Sequence, residues 1–352
     1  MLYQQLGDTG VFVSRLCLGA MTFGGVGTMF EVIGGIPQHD VDALVGNSLD
    51  AGVNFIDTAN VYAAGESEVM LGKALGNRRN DVVVATKVYG RMGKGANEVG
   101  LSRTNILREA EASLERMGTD YIDLYQVHNF DALTPLEETL GALTDLVRQG
   151  KVRYIGCSNF AAWQLVKALG ISARGHLEKF VTIQSYYSLA GRDLEREIIP
   201  ALVDQKVGLL VWSPLAGGFL TGKFTRAGAS EQDARRSKFN FPPVDLEKGY
   251  AIVDVLQAVA KRHDATVPQI ALAWLLHQPA VTSVIIGAKR AGQLKDNLAS
   301  VDLKLTPEDL QQLDEVSRLA PEYPGWFVGM SSDRRPGQVR DWSRFTNTAT
   351  AK

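Results

Sequence analysis

Short apolar runs rich in β-branched residues alternate with longer segments of helical periodicity along most of the chain. Each short run is typical of a strand that is buried on both faces, so parallel strands are the natural interpretation. Seven runs rich in Val, Ile or aromatic residues lie at residues 54–57, 82–87, 122–128, 152–156, 180–184, 208–212 and 282–287, and the apolar run at residues 16–19 gives an eighth strand candidate.

Between these runs, apolar residues recur at the three- and four-residue spacing of amphipathic helices. The clearest examples predict helices over residues 40–51, 106–117 and 136–147. Helix starts are indicated at Thr134 and Thr306, where a capping-box spacing is combined with proline at the first helical position. Helix ends are indicated by Gly52, Gly118 and Gly150.

This continuous series of β/α units contains no Ser- or Pro-rich linker. An α/β fold is therefore expected, and a closed (β/α)8 TIM barrel is favoured over a doubly wound sheet. We expect one domain over residues 1–330, an N-terminal β-hairpin over residues 1–15, and long loops after strands 3 and 7. Residues 331–352 are expected to form a C-terminal tail that is partly disordered.

Composition and charge narrow the possible functions. The chain has 352 residues, of which 45% are hydrophobic and 22% charged, which are ordinary globular values. A net charge of −2 gives no positive field for nucleic acid or an anionic membrane. Two distant cysteines, Cys17 and Cys157, argue against a disulfide scaffold and favour a reduced, cytoplasmic location. No uninterrupted run of about 18 apolar residues and no secretory-type N-terminus occurs, so a soluble protein is expected.

Chemically active side chains end successive predicted strands. Asp57 ends the second strand, Lys87 the third and His128 the fourth, while Tyr62 lies in the loop after Asp57. Active sites of (β/α)8 barrels lie at the C-terminal ends of the strands. The sequence therefore predicts one pocket that contains these four side chains.

These four residue types could deliver a proton to a carbonyl oxygen. A tyrosine hydroxyl with a pKa of about 10 is a poor acid, but a neighbouring lysine ammonium favours the phenolate and lowers that pKa. In this interpretation Tyr62 is the acid beside Lys87, Asp57 holds the lysine, and neutral His128 donates to the carbonyl oxygen. Each residue alone has an ordinary structural alternative, such as a turn cap or a solvated strand end, but their joint order favours catalysis.

The residues around this pocket resemble the signature of the aldo-keto reductase family. The resemblance rests on residues 52–59, on Tyr62 and on residues 65–68, and it extends from Leu6 to Asn297. The chain is most similar to the branch of potassium-channel β-subunits and aryl-alcohol dehydrogenases. The resemblance implies a (β/α)8 barrel and usually NADPH as cofactor, with NADH less expected. It maps the proton-relay tetrad of the family onto Asp57, Tyr62, Lys87 and His128, with Tyr62 as general acid.

The same resemblance assigns contacts with the cofactor. Ser158, Asn159 and Gln184 are expected to hold the nicotinamide carboxamide, which needs both donors and acceptors. A helix cap is the alternative for Ser158 and Asn159. Trp212 is expected to face the nicotinamide, with core packing as the alternative. The other implied contacts are Gly19, Met21, Asp57, Ser213, Pro214, Leu215, Gly217, Lys223, Arg235, Gly287, Lys289, Arg290, Gln293 and Asn297.

Basic residues among these contacts indicate where phosphates would bind. Lys223 and Arg235 look like the pyrophosphate-binding residues of the family, although Arg236 competes with Arg235 and a solvated charge run is the alternative. Lys289 and Arg290 precede a helix and favour a 2′-phosphate, and hence NADPH. One departure is Gln293, where some relatives carry an arginine that stacks on adenine.

The substrate is less defined by the sequence. The Gly-rich loop at residues 89–101, with Phe23, Phe30, Tyr89 and Asn129, predicts a wide pocket. A bulky ketone, a sugar-derived carbonyl or an aromatic aldehyde would fit it. We expect an NADP-dependent oxidoreductase that interconverts a carbonyl and an alcohol without a metal, and an oligomer is possible. The alternative is an NADPH-binding sensor with little turnover, resembling the potassium-channel β-subunits.

Overall fold

A closed barrel of eight parallel strands forms the centre of the computed structural model. The structure describes residues 1–331 except 28, 227, 230–235, 237 and 238, and it leaves out the side chains of residues 29, 30, 229, 329 and 331. The barrel strands are β3 Leu16–Gly19, β4 Phe55–Asp57, β5 Val83–Val88, β6 Ile122–Val127, β7 Val152–Ser158, β8 Phe180–Tyr186, β9 Gly208–Trp212 and β12 Val281–Ile286. Strand β12 pairs with both β9 and β3, which closes the ring. The predicted (β/α)8 fold is confirmed.

Two short antiparallel pairs lie outside the barrel. Strands β1 Tyr3–Gln5 and β2 Phe12–Ser14 form the predicted N-terminal hairpin, and β10 Phe224–Thr225 pairs with β11 Gly228–Ala229. The hairpin packs closely against the barrel at its turn, because a Cβ on Gly7 would lie 2.1 Å from the backbone oxygen of Val181. Since Val181 lies near the start of β8, the hairpin covers the N-terminal end of the barrel.

Helices surround the barrel and follow its strands. They are α1 Gln38–Asp50, α2 Glu66–Leu75, α3 Arg103–Met117, α4 Leu136–Arg148, α5 Ala162–Gly175, α6 Ile198–Gln205, α7 Leu246–Arg262, α8 Val267–Leu276, α9 Ala291–Ala299, α10 Pro307–Ser317 and α11 Gly325–Ser331. Helix α3 ends at Gly118 in the left-handed conformation, as predicted. Within the described part of the chain, no helix is both long and apolar enough to cross a membrane.

One of the two predicted helix caps is wrong and the other is confirmed. Thr306 caps α10, since its side chain accepts from the backbone N of Asp309. Thr134 does not cap α4, because Pro135 occupies the cap position and no side chain bonds there. The Thr134 hydroxyl instead donates to Oδ2 of Asp131, at 2.8 Å. The helix begins one residue later than predicted, at Leu136, so Thr134 belongs to the preceding loop.

Inside the barrel, a polar layer lies directly above an apolar one. Phe55 and Ala85 belong to the apolar cluster that fills the interior. Strand side chains alternate with a period of two, so the next inward positions on the same strands are Asp57 and Lys87. Because both residues lie at or near the C-terminal ends of their strands, the apolar layer separates them from the hairpin end of the barrel.

The predicted long loops are present, and the tail lies largely outside the described residues. The loop after β5 covers residues 89–102, and the connection after β9 runs from residue 213 to 245 with several residues outside the described part. Of the predicted tail at 331–352, everything from residue 332 onward lies outside the described residues.

Helices α7 and α10 are joined through one buried carboxylate. Asp309 is 2% exposed, and its Oδ1 accepts from Nη2 of Arg262 at 2.6 Å. Its Oδ2 lies 2.7 Å from Nε2 of His263 and 2.8 Å from the hydroxyl of Thr306. Burial acts to raise the pKa of Asp309, but the bonds from Arg262, His263 and Thr306 outweigh it and lower that pKa.

We expect Asp309→Asn to lower the free energy of unfolding by about 2 kcal/mol at neutral pH, because the variant loses hydrogen bonds to a charged acceptor. Urea denaturation measures this change. Asp309 contributes fully to the free energy of unfolding above a pH of about 4, where the carboxyl of the unfolded chain is ionised. This contribution is lost as the pH falls toward the lowered pKa of the folded state. Glu111→Gln, which breaks an exposed ion pair with Lys151, is the control and should change stability by less than about 1 kcal/mol. Equal stability of Asp309→Asn and wild type would contradict the assignment.

Candidate active site

A buried ion pair between Lys87 and Asp57 lies in the polar layer. Nζ of Lys87 donates to Oδ1 of Asp57 at 2.5 Å and to the backbone oxygen of Thr58 at 2.7 Å. Oδ2 of Asp57 accepts from Nε2 of Gln184 at 2.8 Å and from Nε2 of Gln126 at 3.1 Å. Both charges therefore have several hydrogen-bond partners, which a fully buried pair requires.

The charge of Lys87 is maintained in spite of its burial. The side chain is 0% exposed, and burial alone would lower the pKa of its ammonium. Asp57 and Tyr62 outweigh that effect, and the pKa of Lys87 lies above its ordinary value. The pocket therefore contains a permanent positive charge at neutral pH.

The Tyr62 hydroxyl reaches this positive charge. Its oxygen lies 3.4 Å from Nζ of Lys87, and the ammonium lies 4.9 Å from the centre of the tyrosine ring. Tyr62 begins a tight turn, Tyr62–Gly65, between β4 and α2. The turn brings a side chain from outside the barrel to the end of β5.

His128 follows β6 and packs edge-on against Tyr62, with 5.9 Å between the ring centres. Burial lowers the pKa of His128 to about 3, and the charge of Lys87 acts in the same direction. The imidazole is therefore neutral over the ordinary pH range, and it keeps one N–H donor and one acceptor.

The amide and hydroxyl residues predicted near this pocket form a connected chain. The hydroxyl of Ser158 donates to the backbone oxygen of Gln184 at 2.9 Å, and Nδ2 of Asn159 donates to the backbone oxygen of His128 at 3.0 Å. Nε1 of Trp212 donates to Oδ1 of Asn159 at 3.1 Å. The alternative of a helix cap is wrong for Ser158 and Asn159, since α5 has Ala161 at its cap position.

Trp212 lies half-buried at the end of β9 among other aromatic rings. Its ring centre is 5.1 Å from that of Tyr186, and it stacks in parallel with Phe241 at 5.7 Å. The next residues turn sharply, because Ser213 and Gly217 both have a left-handed φ and the Gly217 N–H donates to the Ser213 hydroxyl. Pro214 and Leu215 lie within this turn.

The basic residues after β9 have different positions. Nη1 of Arg236 donates to the backbone oxygens of Ala216 and Pro242, both at 2.9 Å, and its side chain is buried. Arg236 therefore fastens the loop to the end of β9. Lys223 is half-buried in the same loop, whereas Arg235 lies outside the described residues.

The loop between β12 and α9 places two basic residues at the start of a helix. Arg290 occupies the position before α9 and is exposed. The backbone N of Lys289 donates to the side chain of Gln293 at 2.9 Å, and Nδ2 of Asn297 donates to the backbone oxygen of Gly287 at 3.2 Å. Gln293 and Asn297 thus fix the shape of the loop.

The remaining predicted contacts lie around the same end of the barrel. Gly19 ends β3 and pairs in register with Asp57. Met21 is half-buried just after it, and Phe23 is fully buried in the outer core. Tyr89 and Asn129 are half-buried after β5 and β6, whereas the side chain of Phe30 lies outside the described residues.

Gln126 is a residue of this layer that was not predicted from the sequence. It lies on β6 two residues before His128 and pairs in register with Lys87. A polar residue at an inward position of a buried strand is the signal that would have indicated it, but its use depends on the register between β5 and β6.

Known proteins match this chain over most of its length. The sequence model of the Aldo/keto reductase family matches residues 15–318. YrpG, an uncharacterized oxidoreductase of Bacillus subtilis, is 39% identical over 90% of this chain and 96% of its own. A versiconal hemiacetal acetate reductase of Aspergillus parasiticus is 36% identical over 92% of this chain and 99% of its own. An Arabidopsis thaliana protein named probable voltage-gated potassium channel subunit beta is 36% identical over the same shares.

The eight-stranded barrel agrees with this match, which covers all eight of its strands. The chain belongs to the aldo/keto reductase family.

Proposed function

We propose that the protein reversibly reduces an aldehyde or ketone to an alcohol with NADPH, and that Tyr62 supplies the proton. The observation that carries this proposal is the 3.4 Å separation between the Tyr62 hydroxyl and the Lys87 ammonium. A relative named as a reductase of a hemiacetal acetate supports carbonyl chemistry in this family.

The residues around the barrel mouth suit a dinucleotide. Exposed Arg290 before α9 provides a positive charge next to helix N–H groups, which is favourable for a phosphate. Gln184 provides an amide group that contacts Asp57, Asn159 provides a second one beside the backbone of His128, and Trp212 provides an aromatic face. NADPH, when bound, supplies the hydride for the carbonyl carbon.

The side chains of the protein would supply the proton for the carbonyl oxygen. As the carbonyl oxygen gains negative charge, Tyr62 transfers its phenolic proton to that oxygen. The Lys87 ammonium stabilises the phenolate that remains, and Asp57 keeps the ammonium in place. Neutral His128 can donate a hydrogen bond to the same oxygen. In the reverse direction the phenolate removes the proton of the alcohol.

The substrate that we propose is a broad range of aldehydes and ketones. Tyr89 lies half-buried just after β5, the strand that carries Lys87, and Asn129 lies half-buried just after the neighbouring strand β6. The 14-residue loop over residues 89–102 follows β5 at the same end of the barrel as Lys87, where a long loop leaves room for substrates of different size.

A second candidate is an NADPH-binding sensor with little turnover. It is favoured by the relative named as a potassium channel subunit beta. The two functions differ in rate, so NADPH consumption across a panel of aldehydes and ketones separates them. Sustained turnover with any carbonyl favours the reductase, whereas tight NADPH binding without turnover favours the sensor.

Tyr62→Phe should lower kcat by about 10²- to 10⁴-fold, because it removes the general acid and leaves the ring. NADPH affinity, measured by fluorescence titration, should change by less than about twofold. The matched control is Tyr121→Phe, whose hydroxyl bonds Asn80 before β6, far from the pocket. Full turnover by Tyr62→Phe would refute the proposed role.

His128 should show no protonation between about pH 5 and 8. With a folded-state pKa of about 3, the ring stays neutral, whereas the unfolded chain binds this proton near a pH of about 6.5. His128 therefore works against folding as the pH falls below that value. Nuclear magnetic resonance of histidine ring protons checks this, with the signal assigned by its loss in His128→Gln. A titration midpoint inside the range contradicts the neutral donor.

Arg290→Ala should weaken NADPH binding by about tenfold and leave NADH binding unchanged, because the lost charge would face only the 2′-phosphate. Lys295→Ala is the control, since it removes an exposed basic residue from the same helix. Titration of each variant with both cofactors measures the effect. An equal loss of affinity for NADPH and NADH, or no loss of affinity for either, would show that Arg290 does not bind the 2′-phosphate.

A further inference from the structure

The turn that carries Tyr62 has an unfavourable backbone conformation. Ala63 and Ala64 have left-handed φ values of 48° and 55°, and Gly65 follows with φ of 98°. Residues with a Cβ avoid this region, and two in succession persist only where the surroundings determine the conformation. The contacts of this turn therefore decide where the Tyr62 hydroxyl lies.

One of these contacts comes from Arg116 of α3. Its stem lies against the Cα of Gly65, so closely that a Cβ there would be 2.7 Å from Cδ of Arg116. Nε of Arg116 donates to Oε2 of Glu68 at 2.6 Å, and Glu68 is 0% exposed. Arg116 is thus held by a buried carboxylate while its stem packs against the turn.

Glu68 also bonds the strand that carries the lysine. Its Oε1 accepts from the hydroxyl of Thr86 at 2.5 Å. Thr86 points out of the barrel, and the next residue, Lys87, points in. The same carboxylate therefore links the Tyr62 turn to β5, next to the residue that Tyr62 must reach.

The other side of the turn is held from the same helix. Oε2 of Glu109 accepts from Nδ2 of Asn60 at 3.0 Å and lies 3.9 Å from Nη2 of Arg116. The backbone N of Asn60 donates to the backbone oxygen of Lys87 at 3.3 Å. Tyr62 is therefore bracketed by Asn60 before it and Gly65 after it, and both contact the same face of α3.

We propose that Glu68 and Arg116 are positioning residues for Tyr62, acting from outside the pocket to fix the distance between its hydroxyl and Lys87. This inference rests on the proposed role of Tyr62 as the acid. The hydrogen bonds and ion pairs described for Glu68 and Arg116 join them to each other and to Thr86, Ser113 and Glu109. Their effect passes through Gly65 on one side and Thr86 on the other.

The inference predicts a loss in kcat with KM nearly unchanged. In Arg116→Leu the turn loses its support and Glu68 loses its cation, and a displacement of about 1 Å can cost on the order of 10²-fold in rate. We expect kcat per NADPH-binding site to fall by about 10- to 100-fold, while KM and NADPH affinity change by less than about twofold. Arg116→Lys should recover most of the rate, since it keeps a stem against Gly65 and a charge for Glu68.

The matched control is Arg79→Leu. Arg79 is 13% exposed at its side chain and pairs with Asp123 at 2.8 Å, a partly buried ion pair similar to that of Arg116. It lies near the opposite end of the barrel, because the Asp123 carboxylate accepts from the backbone N of Val84 at the start of β5. Arg79→Leu should lower Tm and leave kcat unchanged.

A spectroscopic measurement tests the position of Tyr62 without turnover. In protein labelled with 3-fluorotyrosine, the ¹⁹F signal absent from Tyr62→Phe belongs to residue 62. Arg116→Leu should shift or split this signal, whereas Arg79→Leu should not. If Tyr62→Phe kept full turnover, the proposed function would fail, but this signal would still report on the turn.

Wild-type kcat together with an unmoved ¹⁹F signal in Arg116→Leu would overturn the inference, and so would a fall in Tm alone. If Arg116→Leu does not fold, Glu68→Gln replaces it, because this change keeps the side-chain volume but removes the charge and one of the two acceptor oxygens that bond Thr86 and Arg116. A lowered kcat together with a shifted ¹⁹F signal in Glu68→Gln supports the inference. A wild-type kcat together with an unmoved ¹⁹F signal in this variant contradicts it.

Discussion

The rest of the site depends on a lysine ammonium that is held, fully buried, against one carboxylate. Removing both charges from water costs free energy, and only a complete set of hydrogen bonds offsets that cost. The partners of Lys87 and Asp57 come from different strands: Gln126 lies on β6 and Gln184 on β8. Barrel closure and strand register are therefore requirements of the ion pair, since a slip of one residue would turn these side chains out of the interior.

Strand alternation also explains how the pocket is connected to the helices outside the barrel. On β5, Lys87 points in to Asp57 and its neighbour Thr86 points out to Glu68. The inner contact sets the charge of the site, and the outer one anchors α2, which follows the turn of Tyr62. The proposed catalytic contact and the contact that anchors α2 thus lie on opposite faces of β5. This arrangement allows residues at the outside of the barrel to influence a proton donor through the strand and the turn that position it.

Much of this could be predicted from the sequence, because it depends on local patterns. The eight strands follow from short apolar runs, most of them with β-branched residues, and Asp57, Lys87 and His128 follow from their places at strand ends. Features that depend on distant partners could not be predicted. The expected cap at Thr134 is wrong because α4 begins one residue later, with Pro135 at the cap position, and Thr134 bonds Asp131 in the loop before it. Gln126 and the contact of Arg116 with Gly65 need the register and helix packing, and the binding of Arg236 to backbone oxygens needs the folded loop.

The most direct measurement is the single-turnover rate at which the double variant Asp57→Asn, Lys87→Met, in excess over NADPH, transfers hydride to a saturating aldehyde or ketone that the wild type reduces. The double change removes both charges together, so no unpaired charge remains in the barrel. If the Lys87 ammonium stabilises the Tyr62 phenolate, we expect a folded protein whose single-turnover rate falls by about 10²- to 10⁴-fold. A wild-type rate in this variant would contradict this role of Lys87.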